Sequence, residues 1–220
     1  MPMLPQYMAQ LDLERQEVFE KLKSFSSQFV LAGGTAIMLQ IGHRQSFDFD
    51  CFCQEKKLSA ALLTKIKKVF GSFKIIFESL EILTIKTDKE IDISFVAHPF
   101  KILRPVIETS SISLFHLDDL VANKAYTIGR RNTWRDYVDL FFFLKWRFYS
   151  IEKIIDLAKE KFEGEFNEKL FLGQLVYFDD IKIAPTIFLK ESYTDDEIKA
   201  FLEKEVEAYI RKILPETKAK

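Results

Sequence analysis

Apolar and polar positions divide the chain into two stretches with different rhythms. In residues 11–24, Leu13, Val18, Phe19 and Leu22 recur at roughly helical spacing, and the run "FVLA" that follows is short, β-leaning and closed by Gly33 and Gly34. That predicts a helix and then a strand. Beyond the glycines, "TAIMLQIGH" has helical composition, with Thr35 placed to cap the helix and Gly42 where a helix would stop. The next segment, "SFDFDCF", alternates strictly. Consecutive strand side chains point to opposite faces, so Ser46, Asp48, Asp50 and Phe52 should share one face, and Phe47, Phe49, Cys51 and Cys53 the core face.

Residues 58–70, "LSAALLTKIKKVF", predict an amphipathic helix, and three β-rich runs follow: "FKIIFES", "LEILTIK" and "IDISFVA". Their short links favour antiparallel pairing. In the last run Asp92 and Ser94 face away from Ile91, Ile93 and Phe95, so a third acidic side chain is offered from another strand. Past Pro105 the β pattern fades. Residues 117–128, 134–147, 151–162 and 194–214 predict helices, the last opened by the capping-box pair Thr194 and Glu197. The expected fold class is α/β of the α+β kind: a mixed sheet flanked by helices over residues 1–110, then a helical domain over 111–220 that completes a cleft.

Composition narrows the function classes. The chain has 220 residues, 48% of them hydrophobic, which is enough for one large domain or two smaller ones. Its formal net charge is -1, so nothing globally basic advertises a polyanion, which would have to be held by a local patch. Two cysteines, Cys51 and Cys53, and three histidines provide neither a disulfide framework nor a four-ligand zinc site. The start "MPMLPQYMAQ" has no signal-peptide pattern, and the apolar stretch "YVDLFFFLKWRFY" is broken by Asp139 and Lys145. A soluble, cytoplasmic protein with no membrane partner is the expectation.

Two carboxylates on one face of a half-buried strand repel each other unless a cation sits between them. Asp48 and Asp50, with Asp92 from a neighbouring strand, would make a hard-oxygen site of the kind Mg²⁺ prefers, and two such ions can clamp the attacking and leaving oxygens of an in-line phosphoryl or nucleotidyl transfer. Gly33 and Gly34, lacking Cβ atoms, allow a sharp bend. Backbone N–H groups and the Thr35 hydroxyl there could meet a phosphate at a helix N-terminus, with Ser46 as a further donor.

The order Gly-Gly-Thr, short helix, Ser-x-Asp-x-Asp and later strand Asp resembles the nucleotidyltransferase superfamily related to DNA polymerase β. More closely, "GGTAIMLQIGHRQSFDFDCF", "HPFKIL", "DDLVANKAYTIGRRNTWRDYVDLFFFLK" and "VYFDDI" resemble the AbiEii/AbiGii toxin family, from about residue 29 to 183. The resemblance implies a nucleotidyltransferase domain and a helical domain, with Asp48 and Asp50 as metal ligands. It also implies a toxin of an abortive-infection or toxin-antitoxin pair, with a cognate antitoxin. Some members modify tRNA with nucleoside triphosphates, and others are described chiefly as GTP-binding. Asp92 is the expected third carboxylate, with Glu90 as its alternative.

Lys124 falls on the apolar stripe of its helix with Leu117, Leu120, Val121, Ala125 and Ile128. It either snorkels at the stripe's edge or, as the resemblance implies, points a cation at a triphosphate. Arg131 is a second candidate nucleotide ligand. Asp136, three residues after Thr133, either completes a capping-box variant or orients Lys124 or an arginine, and Asp139 can pair with Arg135. Residues 124–147 are locally basic, where an RNA acceptor could lie. The aromatics Trp134, Tyr137, Phe141, Phe142, Phe143 and Trp146 read as bundle core. The expected function is therefore a Mg²⁺- and NTP-dependent nucleotidyltransferase toxin acting on RNA. The rivals are an NTP-binding regulator without turnover and a non-enzymatic docking protein.

Overall fold

The computed structural model describes residues 5–131 and 133–214. Contacts divide the chain into two compact units: Met1–Leu120 with Ile187–Lys190, and Val121–Thr186 with Glu191–Lys220. The division falls ten residues later than the 110/111 boundary expected from sequence, and a short C-terminal piece returns to the first unit.

In the first unit, α1 (Leu13–Lys21) is capped by Asp12, whose side chain accepts from Arg15 N–H, and runs into a 3₁₀ turn before β1 (Val30–Ala32). α2 (Gly33–Ile41) stops at Gly42, which takes the left-handed conformation at φ 61°, as the glycine's position predicted. Then come β2 (Phe49–Cys53), α3 (Leu62–Phe70), β3 (Phe73–Glu78), β4 (Ile82–Thr87) and β5 (Asp92–Ala97). The five strands form one mixed sheet in the order β1-β2-β5-β4-β3. The pairs β3–β4 and β4–β5 are antiparallel, as their short links required, whereas β2 and β5 are parallel, with Phe49 opposite Ile93 and Asp50 opposite Ser94.

Alternation along β2 and β5 separates two faces. Phe49, Cys51, Cys53, Ile93, Phe95 and Ala97 are buried, and the Phe25 and Phe29 rings lie about 5 Å from that of Phe95. Phe47 departs from the expectation. β2 begins only at Phe49, and Phe47 precedes it, 43% exposed, with Arg15 over its ring and donating to its carbonyl.

The second unit takes α4 (Leu117–Thr127) from Val121 onward, then α5 (Trp134–Lys145), α6 (Ile151–Phe162), α7 (Glu168–Leu175) and α8 (Asp195–Ile213). Trp134, Tyr137 and Phe141–Phe143 of α5 are fully buried, as a core reading of that aromatic run predicted, while Trp146 is half-buried. α8 opens with the expected reciprocal capping box between Thr194 and Glu197. α7 has no counterpart in the sequence reading. Among the described residues no helix is long and apolar enough to cross a membrane.

Candidate active site

The bend between β1 and α2 depends on glycine at two successive positions. Gly33 sits at φ 67°, where an L side chain is strained, and a Cβ there would lie 2.0 Å from Oδ2 of Asp50. A Cβ on Gly34 would lie 2.7 Å from a guanidinium nitrogen of Arg44 and 2.8 Å from Oγ of Ser46. The bend thus lies directly against the acidic segment. Asp48 and Asp50 are both half-buried, and the Ser46 hydroxyl donates to Oδ1 of Asp48 at 3.3 Å. Gly33, Gly34, Arg44, Ser46, Asp48 and Asp50 are therefore neighbours.

Thr35 behaves differently from its expected capping role. The helix already begins at Gly33, its N-terminus has no side-chain cap, and the buried Thr35 hydroxyl donates instead to the backbone carbonyl of Asp48. That bond ties α2 to the carboxylate-bearing segment. Behind the acids, burial pushes the Cys51 thiol well above its usual range, and the charge of adjacent Asp50 pushes it further the same way.

Asp92 stands at the start of β5, on the same sheet face as Ser94, whose hydroxyl is 3.0 Å from that of Thr84. Its Oδ1 is 3.3 Å from Nζ of Lys86, and Glu90, in the β4–β5 turn at φ 58°, lies 3.6 Å from the same ammonium. Both candidates for the third carboxylate thus face Lys86. Among the described residues no three Asp, Glu, His or Cys side chains converge as a metal-holding group.

In the second unit Lys124 is neither snorkelling nor exposed. It is 5% exposed, and Nζ lies 2.5 Å from Oδ1 of Asp136 and 2.5 Å from Oδ2 of Asp139. Arg131 completes the group through Nε to Oδ2 of Asp136 at 2.7 Å and a second guanidinium nitrogen to Oδ1 at 2.9 Å. Of the two readings of Asp136, the orienting one describes its contacts. Thr133 makes no side-chain cap, and the Asp136 carboxylate is taken up by Lys124 and Arg131. Asp139 pairs with Lys124 rather than relying on Arg135. Burial alone would raise the Asp136 carboxyl, but Lys124 and Arg131 outweigh it and hold the carboxyl below its ordinary value.

The locally basic stretch is largely engaged within the chain. Arg130 lies over the Tyr126 ring and donates to the Glu165 carbonyl, Lys145 lies over Tyr193 and Phe201, and Arg147 pairs with Glu205.

A family model described as "Nucleotidyl transferase AbiEii toxin, Type IV TA system" matches residues 19–219. The chain belongs to the AbiEii family of nucleotidyltransferase toxins. An uncharacterized protein of Aquifex aeolicus (strain VF5) is 26% identical over 213 residues, covering 92% of this chain and 99% of its own length. Two Helicobacter pylori crystal structures share the fold. One, described as a "putative nucleotidyltransferase", has a TM-score of 0.59 at 17% identity over 92% of this chain and 97% of the other. The second, JHP933, has a TM-score of 0.58 at 18% identity over 96% and 94%. For this AbiEii protein, the sequence reading missed Arg44 and misassigned Asp139. Arg44, 1% exposed, stands two residues before Ser46 in the acidic motif; Asp139 lies inside an apolar helical run, where a charge must find a partner.

Proposed function

We propose that this AbiEii protein binds a nucleoside triphosphate at the Gly33–Gly34 bend and transfers its nucleotidyl group to a hydroxyl of an RNA acceptor, of which tRNA is the class to test first. The observation that carries the reading is the contact between Gly33 and Asp50, so tight that no side chain fits between bend and carboxylate. A phosphate chain at the N-terminus of α2 would meet backbone N–H groups and the favourable end of the helix dipole, next to two acidic side chains.

The donor set suits a divalent cation in part. Asp48 and Asp50 are hard oxygen ligands at the same bend, and Mg²⁺ commonly takes one or two carboxylates and completes its shell with water and phosphate oxygens. Asp48 and Asp50 would hold the ion, which when bound neutralises charge on the phosphates. Arg44 supplies a fixed cation beside Gly34 and Ser46. In the transfer the acceptor oxygen bonds to the α-phosphorus, the bond to the β-phosphate oxygen breaks, and pyrophosphate leaves. Asp92 is assigned the acceptor proton. In the second unit, Lys124 and Asp136 act by fixing Arg131, whose side chain is 53% exposed and is the candidate phosphate ligand there.

A second reading, NTP binding without turnover, draws on the engagement of Asp92 by Lys86. Incubating purified protein with each α-labelled NTP and total RNA separates the two. The proposal expects label in RNA that is lost in Asp48→Ala and Asp50→Ala at unchanged melting temperature. NTP binding without incorporation would establish the second reading instead.

A further inference from the structure

Among the described residues β3 is the last strand of the sheet, and one of its edges is unpaired. Every residue from Lys74 to Glu78 is exposed, including three consecutive large apolar side chains: Ile75 at 45%, Ile76 at 54% and Phe77 at 52%. Leu80, just beyond, is 77% exposed. Single exposed apolar residues are ordinary, but an apolar run on an open strand edge invites another strand unless charges or proline blunt it. A register shift between Ile75 and Phe77 breaks the strict alternation there, so apolar groups are offered at this point irrespective of strand face.

Charge identifies the partner. Lys74 and Glu78 lie two residues on either side of Ile76, and neither enters an ion pair within the described chain. Directly across from Lys74 on β4 stands Lys86, a like charge already paired with Asp92 and Glu90. Two copies of β3 laid antiparallel about Ile76 would set Lys74 of each opposite Glu78 of the other and Ile75 opposite Phe77. The segment is complementary to itself about that residue, and cross-strand pairs of opposite charge and of apolar groups stabilise antiparallel pairing. A two-fold interface of this kind closes on itself and uses one patch twice. We propose that β3 is the homodimer interface of this protein, formed edge to edge about Ile76.

The test is sedimentation equilibrium across a micromolar concentration series, on the wild type, Ile76→Asp, Lys74→Glu and the swap Lys74→Glu/Glu78→Lys, with far-UV circular dichroism confirming the fold of each. The expected results are a wild-type dimer, a monomer for Ile76→Asp, a dissociation constant raised several-fold for Lys74→Glu, and recovery in the swap, which restores opposite charges across the axis. The swap keeps the test decisive if Ile76→Asp fails to fold. A monomeric wild type overturns the proposal. So does a dimer indifferent to these substitutions, a swap that fails to recover, or β3-dependent capture of a different protein by a monomeric wild type.

Discussion

Replacing Gly33 by alanine strikes the site at the point where backbone and carboxylate are closest. Two costs arise from one methyl group. At φ 67° an L residue is disfavoured by about 1–2 kcal/mol. The new Cβ would also lie 2.0 Å from Oδ2 of Asp50, whereas real Cβ contacts do not fall below 3.0 Å, so bend and carboxylate must separate by at least the difference, 1.0 Å. A misplacement of that size commonly lowers turnover about 100-fold. Gly33→Ala should therefore lose about 100-fold in NTP incorporation while unfolding only about 1–2 kcal/mol more easily in urea, the strain term alone. Gly34→Ala separates the two costs, because it has no positive φ: its Cβ would lie 2.7 Å from the Arg44 guanidinium and 2.8 Å from the Ser46 hydroxyl, so it should lower incorporation through those groups without the left-handed strain. Retention of wild-type incorporation and stability by Gly33→Ala would refute the packing of the bend on Asp50 as the basis of activity.

Removing Lys124 should be costly for a different reason. Lys124→Ala removes the ammonium paired with the fully buried Asp139 side chain, and loss of one partner of a buried pair costs about 3–5 kcal/mol, measurable as a urea midpoint shift. A change below about 1 kcal/mol would mean that the pair is hydrated in solution. Because the folded Asp136 carboxyl lies below its usual 3.8, its ionisation stabilises the fold above that value, and the contribution is lost as pH falls through the depressed folded value. Asp136→Asn should thus be less stable at neutral pH yet show a shallower acid limb; identical limbs would contradict the assigned direction. Burial raises both the Cys51 and Cys53 thiols, so a thiol reagent at about pH 8 should label neither until denaturant is added, whereas rapid labelling of native protein would place them outside the core.

Much of the first unit was legible because strand alternation is a local rule. It placed Asp50 on the face away from Cys51 and Cys53 and put Asp92 on the face of Ser94. It failed at Phe47 because alternation holds only within the strand, and the strand begins two residues later. Thr35 was misread because helix-start rules favour a hydroxyl cap, while Gly33 at φ 67° starts the helix itself and frees Thr35 to bond the Asp48 carbonyl. Asp139 has a local candidate partner four residues earlier in Arg135, but its ion pair is with Lys124 on another helix. Such pairings leave no periodic trace. The eight-residue α7, with Gly173 within it, is too short and too interrupted to stand out by pattern.

Residues Ile187–Lys190 belong to the first unit although most of the second precedes them in sequence. The Gln45 N–H donates to the Ile187 carbonyl at 2.8 Å, Leu189 N–H donates to the His43 carbonyl at 3.0 Å, and Arg44 bridges Phe188. The loop that carries Arg44 toward the bend is thus fastened by a strap synthesised more than a hundred residues after it. A ribosome must add all the residues between His43 and Leu189 before that fastening exists. Nascent or prematurely ended chains would possess the acids and both glycines but not the strap, leaving the pocket unfinished until residues 187–190 have been made and folded back.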